Sequence, residues 1–298
     1  LWNTMPDSPL FDAAFRGELS TPQQIETQAR RMLGDPRARD AVVSFHHQLF
    51  ETHNVLRIAP ARRAYASLFG ISPEPPLDTT GDGLWPSIVS PIRYSFQAET
   101  SLFIERTIFD GGGTLEALMS DHHGYMSDET SVIYGDGARR LPGESVRVNF
   151  DLVVNSNGAA GGITLFPTEF PPEERAGVLT LPAVLSIGAY AVHPAPIIRG
   201  KRILERLVCQ DFGAPPPGAE AAIPPDTEDA QATNRERTEQ ATSPPACSGC
   251  HSGLNPPGFA FENYDALGRW RAEDNGSSVM AQGEFTLFSG ETIEFENG

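Results

Sequence analysis

The chain has 298 residues, enough for one large domain or two of ordinary size with a buried core. Its formal net charge of −17 excludes the basic footprint of a nucleic-acid binder and argues against adhesion to anionic lipid. Gly and Pro number 28 and 26, which predicts long loops without a collagenous or disordered composition, and no apolar run approaches the length of a membrane helix.

The first half reads as helical. Ser20 before Thr21-Pro22-Gln23 is an N-cap signal, and Ile25, Ala29, Met32 and Leu33 fall on one face of the helix that follows. After Gly34-Asp35-Pro36, a second helix is predicted to about Thr52, with Ala38, Val42, Phe45, Leu49 and Phe50 inward. Residues 71–86 read as loop. A third helix is predicted over 88–109 with Ile92, Phe96, Phe103 and Ile104 inward, stopped by Gly111-Gly112-Gly113 and followed by a short helix at 114–120. Val146, Val148, Phe150, Leu152 and Val154 alternate strictly, which predicts a strand. A turn at Asn155–Gly158 and a return over Gly162–Phe166 would complete one β-hairpin. Further helices are predicted at about 182–189, 197–209, 229–241 and 260–270. A Pro-rich strap at 214–225 lies between the second and third of these. The fold class is therefore mainly α: a helical domain over 1–140, a β-hairpin segment over 141–175 and a helical module over 176–298.

The first residues carry no positive n-region or long apolar stretch, and the chain starts without Met, so it reads as a processed product or a piece of something longer.

Three cysteines are present: Cys209, Cys247 and Cys250. The last two stand in Cys247-Ser248-Gly249-Cys250-His251, the attachment signal of c-type haem. Two thiols three positions apart reach the two vinyl groups of one porphyrin, and the next residue, His251, serves as proximal iron ligand. Three other readings compete. A redox disulfide wants a strand before the motif. A zinc site wants four ligands, and only Cys209 and scattered histidines remain to supply them. The third is an incidental disulfide. Cys209 itself reads as a buried thiol at a helix end, or else as half of a disulfide with a cysteine outside this segment.

The haem module resembles a known family. Arg175-Ala-Gly-Val-Leu-Thr-Leu-Pro-Ala-Val-Leu185, Ile198-Arg-Gly-Lys-Arg-Ile-Leu-Glu-Arg-Leu-Val-Cys209, Asn234-Arg-Glu-Arg-Thr-Glu-Gln240, the Cys-x-x-Cys-His motif, and Gly258-Phe-Ala-Phe-Glu-Asn-Tyr-Asp-Ala-Leu-Gly-Arg-Trp-Arg271 follow in an order that resembles domain-of-unknown-function family 1588. Leu33-Gly-Asp-Pro-Arg-Ala-Arg39 and Tyr125-Met-Ser-Asp-Glu-Thr-Ser-Val-Ile-Tyr-Gly135 resemble its usual upstream neighbour, family 1592. Both occur in large secreted haem proteins of planctomycetes and myxobacteria. The resemblance implies one covalent haem c, a cytochrome c-like module, and export to the periplasm or cell surface. It supplies no function. Relatives often carry Met-Asp-Pro where this chain has Leu254-Asn255-Pro256.

The sixth iron ligand decides the chemistry. Met280 is favoured, followed by His193 and then the pair His122 and His123; Met126 ranks below them. Phe259, Phe261 and Trp270 read as haem-packing or core aromatics. Arg269 and Arg271 suit the haem propionates, with an Asp265–Arg269 helix pair as the plain alternative. His46, His47 and His53 read as surface or satisfied core histidines. Asp78–Gly83 hints at a calcium loop but lacks the Glu an EF-hand needs at its twelfth position.

The leading expectation is one-electron transfer to a redox partner protein or larger complex. A haem enzyme, peroxidase-like or oxidising an extracellular substrate, is the second. An accessory subunit with haem as a staple is the third.

Overall fold

The computed structural model describes residues 1–74, 84–154, 160–214 and 231–297. Asp78–Gly83, the turn at Asn155–Gly158 and the strap beyond Ala214 lie outside them. The helices of the first half are α1 (Ser8–Phe15), α2 (Pro22–Leu33), α3 (Pro36–Leu49), α4 (Arg62–Tyr65), α5 (Leu84–Phe109) and α6 (Leu115–Ser120). Next come β1 (His123–Ser127), α7 (Ser131–Tyr134), β2 (Arg139–Arg140), β3 (Val146–Val154) and β4 (Ala160–Glu169). The last third holds α8 (Pro182–Ser186), α9 (Pro196–Arg206), α10 (Asn234–Thr242) and α11 (Pro245–Phe259). It ends in the short strands β5 (Glu273–Asp274), β6 (Ser277–Ser278), β7 (Gly283–Thr286) and β8 (Thr292–Phe295). The chain is mainly helical with small antiparallel sheets.

Helix α5 is the centre. Ile92, Phe96, Phe103 and Ile104, the residues its periodicity turns inward, are all buried. One core cluster joins Ile92 and Phe96 to Val55, Tyr65 and Ile133, and also to Ala183, Ile187, Ala266 and Leu267. A second joins Phe103 and Ile104 to Phe50, Leu118, Val178 and Leu181. Both clusters therefore draw on the first half and the last third of the sequence.

Several expectations need correction. The cap of α2 is Thr21 rather than Ser20: its hydroxyl accepts from Gln24 N, and Gln24 reaches back to the Thr21 amide. No residue of α2 is buried, and Ile25 and Leu33 face out, because α3 is the main helix packed against it. Phe45 of α3 is likewise exposed. The β-segment is not one hairpin. Strand β4 pairs antiparallel with β1 along one edge and with β2 and β3 along the other, which makes a four-stranded sheet. Its inner face, Ile163 and Leu165, packs on Ala98 and Leu102 of α5.

Residues 260–270 are not a helix. Gly268 takes φ +76, where a side chain would be strained, and Asp265 Oδ1 accepts from the amides of Leu267 and Arg269 in a tight turn. The predicted Asp265–Arg269 helix pair is replaced by this side chain–backbone contact. Cys209 is exposed, in a left-handed conformation beyond α9, rather than buried at a helix end.

A buried polar cluster ties β1 and α7 to α5. The Glu99 carboxylate accepts from Ser127 N (3.1 Å), from the Thr130 hydroxyl and from the Tyr134 hydroxyl (2.8 Å). Burial pushes the Glu99 carboxyl up to about 7 against these bonds and the nearby Arg175. The folded chain therefore holds this proton more tightly than the unfolded chain. The stability Glu99 contributes is fully present below pH 4.5 and is lost as pH rises to about 7. His47, pushed down to about 4 by burial and by its neighbours His53 and His46, acts in the opposite sense over much of that window. The Glu99→Gln variant isolates the carboxyl. Its stability relative to the parent, read from urea midpoints, is expected to rise by on the order of 3 kcal/mol between pH 4.5 and 7, then level off. A difference that stays constant with pH would remove Glu99 as the titrating group.

Candidate functional site

Helix α11 begins at Pro244-Pro245, whose fixed φ suits a first turn. By helical spacing, Cys247, His251, Leu254 and Gly258 form one stripe, with Cys250 beside it. The two ends of this stripe differ. Leu254 and Gly258 are buried, whereas Cys247 and His251 are half-buried and Cys250 is exposed. Both thiols are free.

The buried end rests on α9. A Cβ on Gly258 would overlap the Pro196 carbonyl oxygen, and one on Gly200 would overlap the Leu254 carbonyl oxygen. The two helices thus cross backbone to backbone, with Gly200 and Gly258 at the contact. Arg199, next to Gly200, is fully buried and gives all five N–H groups to main-chain oxygens. Nε and Nη2 reach Leu185 O at 3.2 and 2.9 Å. Nη1 reaches Phe261 O and Tyr264 O at 2.8 and 2.9 Å, and Nη2 also reaches Asp265 O at 2.8 Å. Burial lowers its pKa to about 10, which leaves it charged at neutral pH. Arg175, equally buried, donates to Thr180 O and Gly268 O at 2.6 Å each and lies over the rings of Tyr134 and Tyr264. These two arginines fix the turn that follows α11.

The open end carries an oriented histidine. His251 Nδ1 lies 2.9 Å from Asn255 Oδ1, an acceptor, so the contact calls for a proton on Nδ1 and leaves Nε2 outside it. Asn255 Nδ2 donates to Thr242 Oγ1 (2.9 Å), and that hydroxyl donates to Thr238 O (2.8 Å). The chain of donors runs in one direction and ends on α10. Asn255 and Thr242 are buried. Neither was singled out from the sequence, although Asn255 stands one helical turn from His251.

Arg271 is engaged elsewhere than at a ligand. It pairs with Asp274 and lies 3.6 Å from Glu262, which in turn accepts from Asn234 Nδ2 at 3.1 Å. Burial raises the Glu262 pKa despite Arg271 and Arg199. This network joins the start of α10 to the turn after α11. Trp270 packs against Leu185, Ala260, Phe261 and Tyr264, while Phe259 is buried under the Arg235 guanidinium, so these are core aromatics. Arg269 is exposed and lines a groove with Met126, Val132 and Arg140. Phe212 lies against Gly253 of α11, and its ring centroid is 5.0 Å from that of Phe288. Phe288 is 68% exposed.

Met280 is exposed. Its carbonyl accepts from Arg235, whose guanidinium covers Phe259, two turns along α11 from His251. His193 lies in the turn before α9, where its carbonyl accepts from Tyr190 N. His122 and His123 sit at the start of β1 beside Asp121. Among the described residues, Asp121, His122 and His123 are the only three metal-ligating side chains whose donor atoms all converge within 4.8 Å. Cys247, Cys250 and His251 do not form such a group. The helix before the motif, rather than a strand, argues against a thioredoxin-type dithiol. His46 and His47 are satisfied within the fold, by Val42 O and by the hydroxyls of Thr52 and Ser101.

Residues 175–274 match the family model PSCyt3, described as a protein of unknown function (DUF1588). Residues 1–135 match PSD4, also a protein of unknown function (DUF1592). The two matched stretches stand in series along the chain. The DUF1588 stretch contains both buried arginines, the α9–α11 crossing, the Cys-x-x-Cys-His helix and the Glu262–Arg271–Asp274 network. The DUF1592 stretch contains α1 to α7 and β1. No curated protein and no solved structure matches the chain.

Proposed function

We propose that the DUF1588 stretch holds one c-type haem through Cys247 and Cys250, with His251 as proximal ligand, and that the chain passes single electrons within a larger periplasmic or cell-surface assembly. The observation that carries this reading is the open end of the α11 stripe. Two free thiols one turn apart stand beside an imidazole whose Nδ1–H is spoken for and whose Nε2 is not. Each thiol would add across one vinyl double bond, its sulfur bonding one carbon and its proton ending on the other. A bound haem c supplies a one-electron iron couple. Asn255 and Thr242 hold the imidazole plane and raise its basicity. Phe212 and Phe288 offer exposed aromatic surface one turn from Cys250.

A second reading, a haem enzyme with an open sixth position, is supported by where the distal candidates lie. Met280 is tied to the far end of α11, and His122 and His123 belong to another part of the fold.

The test is the absorption spectrum of the purified protein, oxidised and reduced, with and without carbon monoxide, followed by acid–acetone extraction. Haem that resists extraction is expected, and a preparation without haem bands overturns the proposal. An unchanged reduced spectrum under carbon monoxide selects the electron carrier; a prompt shift selects the enzyme. In Asn255→Leu the haem is expected to stay attached while the reduction potential moves upward, because the imidazole loses the bond that makes it a stronger donor. An unmoved potential would detach Asn255 from the role assigned to it.

A further inference from the structure

The Asp121, His122 and His123 side chains form a cluster that the haem reading does not use. We propose that these three bind one divalent transition-metal ion of the zinc type, at a site separate from α11.

The local chain explains the convergence. Asp121 caps the end of α6 in an extended conformation. Its Oδ1 accepts from the His123 amide and lies against His123 Nδ1, both at 2.9 Å. The two imidazoles are sequence neighbours, yet their ring centroids are 4.3 Å apart at 38°. Neighbours in a regular strand point to opposite faces; these do not, because His122 precedes the first residue of β1. The main chain is pinned on both sides. Asp121 O accepts from Gly177 N (2.8 Å) and His122 O from Phe170 N (2.9 Å). The donor atoms are therefore held together before any ion arrives, all within 4.8 Å of one another.

The donor set decides the metal. Two imidazoles and one carboxylate suit zinc, copper, nickel or iron, whereas magnesium and calcium take oxygen ligands. Neither ring nitrogen of His122 has a hydrogen-bond partner among the described residues, so that ring can ligate without breaking a bond. Asp121 and His123 also line a cleft of about 290 Å³ shared with Thr107 and Tyr125, which gives water or an outside ligand access to the remaining coordination position.

The experiment is calorimetric titration of Zn²⁺ into the full-length protein after its free thiols are alkylated, which keeps Cys247 and Cys250 from competing whether or not haem is attached. One ion per chain is expected. Mg²⁺ and Ca²⁺ are expected to give no heat at the same concentrations. His122→Ala and His123→Ala remove side chains from the surface, so folding is retained, and each is expected to weaken zinc binding by about a hundredfold or more. Asp121→Asn weakens it less and keeps the turn. The proposal is overturned if the alkylated parent takes up no zinc, or if the double histidine variant binds it as tightly as the parent; the cluster is then an ordinary surface Asp–His pair. Neither result bears on haem, which the extraction assay reads separately.

Discussion

Gly258→Ala is expected to leave little folded protein. The new methyl group falls on the Pro196 carbonyl oxygen, a backbone atom that cannot rotate away. To admit it, α11 and α9 have to part by about 1 Å along their whole crossing, and a gap of that size forfeits a quarter to a half of the dispersion energy of each contact it opens. A cost of about 3 kcal/mol or more follows, at the upper end of overpacking effects. Gly200→Ala is expected to behave alike, since its methyl group meets the Leu254 carbonyl oxygen. Gly249→Ala is the control. It lies on the same helix with nothing within 4 Å of its Cβ position, so alanine there is expected to stabilise by up to about 1 kcal/mol through helix propensity alone. Urea unfolding followed by circular dichroism ranks the three. If Gly258→Ala and Gly249→Ala unfold together, the crossing is not the contact that holds α11.

The second large effect belongs to Arg199→Met. Methionine fills most of the volume but donates nothing. It leaves the carbonyl oxygens of Leu185, Phe261, Tyr264 and Asp265 to lose a strong donor in a region closed to water. A buried acceptor left unpaired costs about 1–3 kcal/mol; Phe261 O and Asp265 O keep the amides of Tyr264 and Gly268, so the loss falls mainly on Leu185 O and Tyr264 O. The net loss is expected on the order of 4 kcal/mol. Arg199→Lys separates charge from geometry. It keeps the cation but offers three donors from one point, where the guanidinium offers five from a plane. It is expected to fall between parent and Arg199→Met in thermal midpoint. A lysine variant as stable as the parent would show that charge, rather than the fork of donors, is what the turn requires.

The parts of this architecture that were legible in the sequence are those set by local spacing. The inward face of α5 follows from Ile92, Phe96, Phe103 and Ile104, because a 3.6-residue period alone places them together. The placing of Cys247, Cys250 and His251 on neighbouring turns of one helix follows from their spacing alone. The rest depends on groups far apart in the chain. Strand β1, His-Gly-Tyr-Met-Ser, has no apolar alternation; it is a strand because β4, some forty residues on, pairs with it. Residues 260–270 look helical in isolation, yet donors from Arg199 and Arg175, more than sixty residues earlier, occupy the carbonyls a helix would have used. The partner of His251 was readable in principle: Asn255 is at i+4, and an amide there can accept from an imidazole N–H. The positions of Met280, His193, His122 and His123 relative to α11 were not readable, since loop position says nothing about which face of a helix a loop reaches.

The five bonds of Arg199 end on main-chain oxygens, and every residue type has one. The side chains at 185 and 261 are therefore free to drift through evolution without disturbing the anchor, whereas Asp265 and Tyr264 are held by bonds of their own, to the Leu267 and Arg269 amides and to the Glu174 carbonyl. Arg199, Gly200 and Gly258 are not free, because no other residue offers that fork or that lack of bulk. Among chains that match the DUF1588 model this predicts an uneven tolerance: a dipeptide and one distant glycine held fixed by geometry, beside positions such as 185 and 261 that answer only to packing. Deep mutational scanning of α9, α11 and those two positions would display that contrast directly.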